Sequence, residues 1–103
     1  MRSSGTINFD VINGAALAAL PSILSTWLPD GKRRGDEWIA RNPTRNDRRA
    51  GSFTINMRTG RWADFATGDR GGDPVSLAAY LHGLGQVEAA RNMARMLGIG
   101  EGS

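Results

Sequence analysis

Seven arginines, Arg41, Arg45, Arg48, Arg49, Arg58, Arg61 and Arg70, fall in one stretch of the chain that also holds Trp62 and Phe65, with Trp38 just before it. Guanidinium groups grip phosphate oxygens in pairs and stack on flat ring systems. Aromatic side chains give unpaired bases a stacking surface worth about 1–3 kcal/mol per base. Together these residue types point to a platform for single-stranded nucleic acid. The clustering carries more weight than the net charge of +3, because ten of the 13 basic residues but only five of the 10 acidic ones lie between Lys32 and Arg70. All but Lys32 of the basic residues are arginine, whereas a surface charged only for solubility mixes in lysine. The candidate nucleic-acid-binding residues are therefore Arg41, Arg45, Arg48, Arg49, Arg58, Arg61, Trp62 and Arg70, with Trp62 the expected stacking face. The competing reading puts Trp38, Trp62 and Phe65 all in the core and makes the arginines a solvated rim; at least two of the three aromatics are expected in the core in either case.

Other chemistries find less support. The run Thr67-Gly68-Asp69-Arg70-Gly71-Gly72 has the glycines of a phosphate cradle at a helix N-terminus, but no Lys-Ser/Thr pair follows it and no βαβ unit precedes it. It reads as a turn leading to a helix cap. Asp64, Asp69 and Asp73 amount at most to a weak magnesium site, and His82 suits a helix end, where a cation meets the helix dipole favourably. With no cysteine and one histidine, disulfides, thiol nucleophiles and thiolate metal sites are excluded. No nucleophile–base set emerges, so no catalytic residue, metal or other cofactor is assigned and the chain is not expected to be an enzyme.

The elements that must position the arginines follow from periodicity. Residues 1–31 read as a helical arm, with Asn13 as N-cap and Leu20, Leu24, Trp27 and Leu28 on one face. Pro21 kinks the arm or opens a second helix over residues 22–27. Residues 32–66 read as β: a strand at 37–41, a break at Asn42-Pro43, then a basic loop. Phe53, Ile55 and Met57 next alternate with Thr54, Asn56 and Arg58, and Thr59-Gly60 turns the chain into a partner strand over 61–66. Over residues 67–99 the Gly-rich loop gives way to a helix capped by Asp73 with Pro74 in its first turn. That helix ends near His82, and a last one spans about 86–97, its stripe formed by Val87, Ala90, Met93, Ala94 and Leu97 before Gly98. Residues 100–103 form a tail. The expected fold is a single α+β domain with a three-stranded antiparallel sheet, an N-terminal helical arm and two C-terminal helices.

A chain of 103 residues and 11.1 kDa suits one domain, and 40% hydrophobic with 22% charged residues is ordinary for a globular one. The apolar stretch at 11–29 is interrupted by Asn13, Ser22, Ser25, Thr26 and two prolines, so no membrane span is expected. No signal-peptide pattern opens the sequence, and the expected location is cytoplasmic.

The order of these pieces resembles the zinc-ribbon domain at the N-terminus of bacterial and phage DNA primases and primase–helicases, over roughly residues 36–99. That family reads Cys-Pro-x-His-x-Glu, Ser-Phe on a strand, an aromatic-led Cys-x-x-Cys hairpin, and Gly-Gly-Asp opening a helix. Here Asn42-Pro43-Thr44-Arg45-Asn46-Asp47 stands at the first ligand pair, followed by Ser52-Phe53. Trp62-Ala63-Asp64-Phe65-Ala66-Thr67 stands at the second pair, and Gly71-Gly72-Asp73 opens the helix. Glu88-Ala89-Ala90 resembles the late helix of the family. All four zinc positions are replaced, by Asn42, Arg45, Asp64 and Thr67, and this set cannot hold zinc as the ribbon does. The resemblance implies a metal-free form in which an Arg45–Asp64 contact takes over the cross-link.

It further implies a non-catalytic module that holds single-stranded DNA template for a phage or mobile-element replication protein. The implied further partners are primase and helicase domains of that machinery. The rival expectation is a protein-interaction module or phage-encoded inhibitor that has lost nucleic acid, using an apolar face of the arm that includes Ile23 and Trp27.

Overall fold

Phe53, Ile55 and Met57 point to one side of their strand and Thr54 and Asn56 to the other. In a computed structural model, which describes residues 7–44 and 51–99, the first set is buried and the second half-exposed. The strands are β1 (Lys32–Arg34), β2 (Glu37–Ala40), β3 (Phe53–Asn56), β4 (Trp62–Asp64) and β5 (Arg70–Gly71). They form one antiparallel sheet in the order β1-β2-β3-β4-β5, each strand beside its sequence neighbours.

The α+β class matches the expectation, but a five-stranded sheet replaces the expected three strands. The two additions lie at the edges. β1 joins β2 through the two-residue loop Gly35-Asp36, where Gly35 has φ of 61°. A glycine with positive φ at the first loop position is what a II′ hairpin turn requires. β5 is formed where the Gly-rich run pairs back on β4, Ala63 with Arg70 and Trp62 with Gly71. A Cβ on Gly71 would collide with the Trp62 indole and come within 2.5 Å of Ser76 Oγ, so only glycine lets this edge close over the tryptophan.

Four helices cover the inner face among the described residues: α1 (Phe9–Ala18), α2 (Leu20–Trp27), α3 (Pro74–His82) and α4 (Gln86–Leu97). The N-cap of α1 is Asn8, whose Oδ1 accepts from Val11 N–H at 3.1 Å, and not Asn13. Asn13 sits inside α1 and reaches across the fold, its Oδ1 accepting the Val75 N–H at 2.9 Å in the first turn of α3. Pro21 lies in the first turn of α2, where its missing N–H costs nothing. The axes of α1 and α2 turn by 79° there. No single described helix is long and apolar enough to cross a membrane; α1 and α2 pass that test only as a bent pair, and their side chains Ile12, Ala16, Leu20, Ile23 and Leu24 are core.

Asp73 caps α3 as expected, with Ser76 N–H donating to Asp73 Oδ1 at 2.8 Å and Ser76 Oγ returned toward the cap backbone. Gly83 and Gly98 end α3 and α4 in the left-handed conformation. The stripe of α4 is rotated from the expected one: Ala89 is buried beside Ala90, Met93 and Ala94, while Val87 is exposed. Ala40, Phe53, Ile55, Met57 and Trp62 supply the sheet side of the core.

Candidate nucleic-acid interface

Residues paired directly across strands share a face of the sheet. Register therefore assigns a continuous outer row of Lys32, Ile39, Thr54, Ala63 and Arg70, one from each strand. The row runs from a lysine on one edge to an arginine on the other. At about 4.8 Å per strand its ends are roughly 19 Å apart. A second outer row holds Arg34, Glu37 and Asn56, continued by Arg61, whose carbonyl accepts the Asn56 N–H at 2.7 Å. Phe65 extends the outer face beyond β4, its N–H donating to Ser52 O at 2.8 Å. Among the described residues helices cover only the opposite face, and this one is left open by them.

The open face carries two shallow grooves. One, of about 430 Å³, is lined by Thr54, Asn56, Arg61, Ala63, Phe65 and Arg70 among others. The other, of about 380 Å³, is lined by Asp30, Lys32, Arg33, Arg34 and Ile39. Glu37, an acid on this face, accepts from Asn56 Nδ2 at 2.8 Å. Among the described residues Lys32, Arg34, Arg61 and Arg70 make no ion pair, so their charges face solvent.

The expected arginines divide into three groups. Arg61 and Arg70 come together at the larger groove. Arg41 is paired with Asp30 at 2.9 Å and Arg58 with Asp36 at 3.3 Å, both at exposed positions. The hydrogen bond from Arg41 holds the Asp30 carboxyl below its ordinary value of 3.8. Arg45, Arg48 and Arg49 lie outside the described residues, as does any Arg45–Asp64 contact. Lys32 and Arg34, which sequence reasoning did not single out, join the site because β1 forms.

Trp62 does not offer the stacking face expected of it. Its indole is 5% exposed, is tilted against the Tyr80 ring at 4.6 Å between centroids, and donates from Nε1 to Ser76 Oγ at 3.0 Å. Trp38 is half-buried on the same inner face and donates from Nε1 to Leu28 O at 3.1 Å. Phe65 is the aromatic left outside, at 75% exposure. Of the two arm residues named for the protein-interaction reading, Ile23 is buried, whereas Trp27 is half-buried at a groove on the helical side.

Beneath the open face, two of the positions that hold zinc in the resembled family meet directly. Asn42 and Asp64 are both fully buried, and Asn42 Nδ2 donates to Asp64 Oδ2 at 2.7 Å. Nδ2 also donates to Tyr80 Oη at 2.8 Å, and the Tyr80 hydroxyl in turn donates to Asp69 Oδ2 at 2.8 Å. Asn42 Oδ1 accepts from the Thr44 N–H and hydroxyl, at 2.9 and 2.7 Å. Asp64 Oδ1 takes the Ala66 N–H at 2.9 Å. The loop after β2 is thereby fastened to the loop after β4 by hydrogen bonds. This donor set does not fit zinc, because the Asn42 nitrogen at the centre is a proton donor with no lone pair to give. Asp64, Asp69 and Asp73 are engaged separately, by Asn42, by Tyr80 and by the start of α3. Among the described residues no three His, Cys, Asp or Glu side chains are grouped to hold a metal ion.

No protein-family model matches this chain, and no curated protein matches it in sequence.

Proposed function

We propose that this chain is a non-catalytic module that captures single-stranded DNA on the open face of its sheet. We further propose that it serves template recognition in a phage or mobile-element primase or primase–helicase. The observation that carries the first part is the outer face of the sheet, left bare by the described helices, with unpaired cations at Lys32 and Arg34 on one side and Arg61 and Arg70 on the other. A polyanion lying across the strands meets positive charge at both ends of its path. Thr54 and Ala63 between them leave room for the backbone and bases. The second part is supported by the order of Ser52-Phe53, the 62–67 hairpin and Gly71-Gly72-Asp73.

The test is fluorescence anisotropy of labelled single-stranded and duplex oligonucleotides at several salt concentrations. Single strands are expected to bind more tightly, with log K falling against log salt by about 0.7 per phosphate contacted. Changing both Arg61 and Arg70 to alanine lowers affinity and flattens that slope by about 1.4. Absence of binding at low salt refutes the proposal.

A second reading, docking of a protein partner, is favoured by an apolar groove of about 350 Å³ on the helical side, lined by Trp27, Leu84, Met93 and the half-exposed Met96. It predicts that Trp27→Ala abolishes capture of a partner protein while DNA plays no part.

A further inference from the structure

We infer that Phe65 and the floor beside it form a nucleobase-stacking site, so that the open face reads bases as well as phosphates. The inference rests on the proposed capture of single strands and deepens it. Phe65 is 75% exposed although its neighbours Asp64 and Trp62 on the same hairpin are buried. The alternation of β4 puts its ring on the solvent side with Ala63, and nothing in the core uses it. Such exposure of a phenyl ring costs apolar hydration that a stacked ring would recover.

The ring belongs to a built surface. It borders the groove of about 430 Å³, a volume within the range of about 300–1,000 Å³ typical of small-molecule clefts. The floor of that groove is made of small residues, with Ala63 between Thr54 and Arg70 in the pairing. Phe65, in the turn that follows β4, and Arg70, on β5, line the same groove. A base set against the phenyl face then has the Arg70 guanidinium beside it, and stacking on aromatic rings or guanidinium planes is how unpaired bases are held on open sheets. Arg61, at the far end of the groove, is left for the flanking phosphate. The occupant is a base of a single strand, since the bases of a duplex are already stacked on one another. Because every base has a π-face to stack, the site is expected to tolerate any base.

The experiment compares two labelled strands of equal length, oligo(dT) and a strand with abasic sites throughout, against wild type, Phe65→Ala and Phe65→Trp. Wild type is expected to prefer oligo(dT). Phe65→Ala is expected to lose about 5- to 150-fold in affinity for oligo(dT), with an unchanged affinity for the abasic strand and an unchanged salt slope, while Phe65→Trp retains binding. Thermal unfolding of the variants checks that the exposed substitution leaves the fold intact. If Phe65→Ala binds oligo(dT) as tightly as wild type, the stacking site is refuted and phosphate capture stands. If wild type binds neither strand at low salt, the capture proposal itself falls.

Discussion

Replacing Asn42 by alanine is expected to be among the costliest single changes in the molecule, although Asn42 is polar and belongs to a loop. Its amide is fully buried and among the described residues bonds to Asp64, to Tyr80 and twice to Thr44. The bond to the Asp64 carboxylate is charge-assisted and contributes about 1.5–3 kcal/mol, and the neutral bond to Tyr80 about 1 kcal/mol. Thr44 is exposed, so water replaces much of what it loses. The expected loss is about 2.5–4 kcal/mol, a large part of the roughly 5–15 kcal/mol that holds a domain of this size together. In thermal unfolding this is a fall in Tm on the order of 10–30 °C. Urea unfolding followed by tryptophan fluorescence measures it directly, with m unchanged if only the native state is affected. A double-mutant cycle with Asp64→Ala then isolates the pair, for which a coupling of about 1.5–3 kcal/mol is expected. A loss below about 1 kcal/mol, or additive single mutants, would falsify the assignment of this contact as the fastener between the two loops.

Asp73→Ala removes the N-cap of α3 and is expected to cost about 0.5–2 kcal/mol in denaturant unfolding, with faster amide exchange in its first turn. Gly71→Ala forces a methyl group against Trp62 and Ser76 and is expected to destabilise by about 1–3 kcal/mol. Gly72→Ala, with open space at that position, should stay within about 0.5 kcal/mol of wild type. The Asp30–Arg41 pair is exposed and contributes under about 1 kcal/mol. Because its carboxyl is held below the ordinary 3.8, that contribution is present above this value and is lost as pH falls through the lowered one. The stability difference between wild type and Asp30→Asn is therefore expected to vanish in acid.

The legible parts of the fold were those with a local signature. Phe53, Ile55 and Met57 announce β3 by period alone, and Asp73-Pro74 announces α3 by capping chemistry, because each signal sits within a few residues. β1 could not be read this way: Lys32, Arg33 and Arg34 have no apolar alternation, and the strand exists because β2 offers it an edge across Gly35-Asp36. β5 is two residues long, too short for any period. Asn13 misleads for a related reason. It has the right residue type for a cap, but it supports the helix that starts 62 residues later. At the site, Arg61 and Arg70 were legible from residue type. The exchange of Trp62 for Phe65 was hidden because the inward face of β4 pairs a tryptophan with a charged residue, and the burial of Asp64 depends on Asn42 arriving from another loop. The alternation of the hairpin, followed strictly from Ile55, would have placed Phe65 outside.

The outermost strand of a sheet carries unpaired backbone groups that recruit further strands, and proteins discourage this with short edges and inward or clustered charge. Here β1 is three exposed cations and β5 is two residues that lead straight into a capped helix. On the proposed reading, side chains that would meet phosphates thus also guard against self-association. Neutralising Lys32, Arg33 and Arg34 together would do more than loosen the grip on a polyanion. It would leave a bare ladder at the sheet edge, and such a variant is expected to form strand-paired oligomers at concentrations where the native chain stays apart.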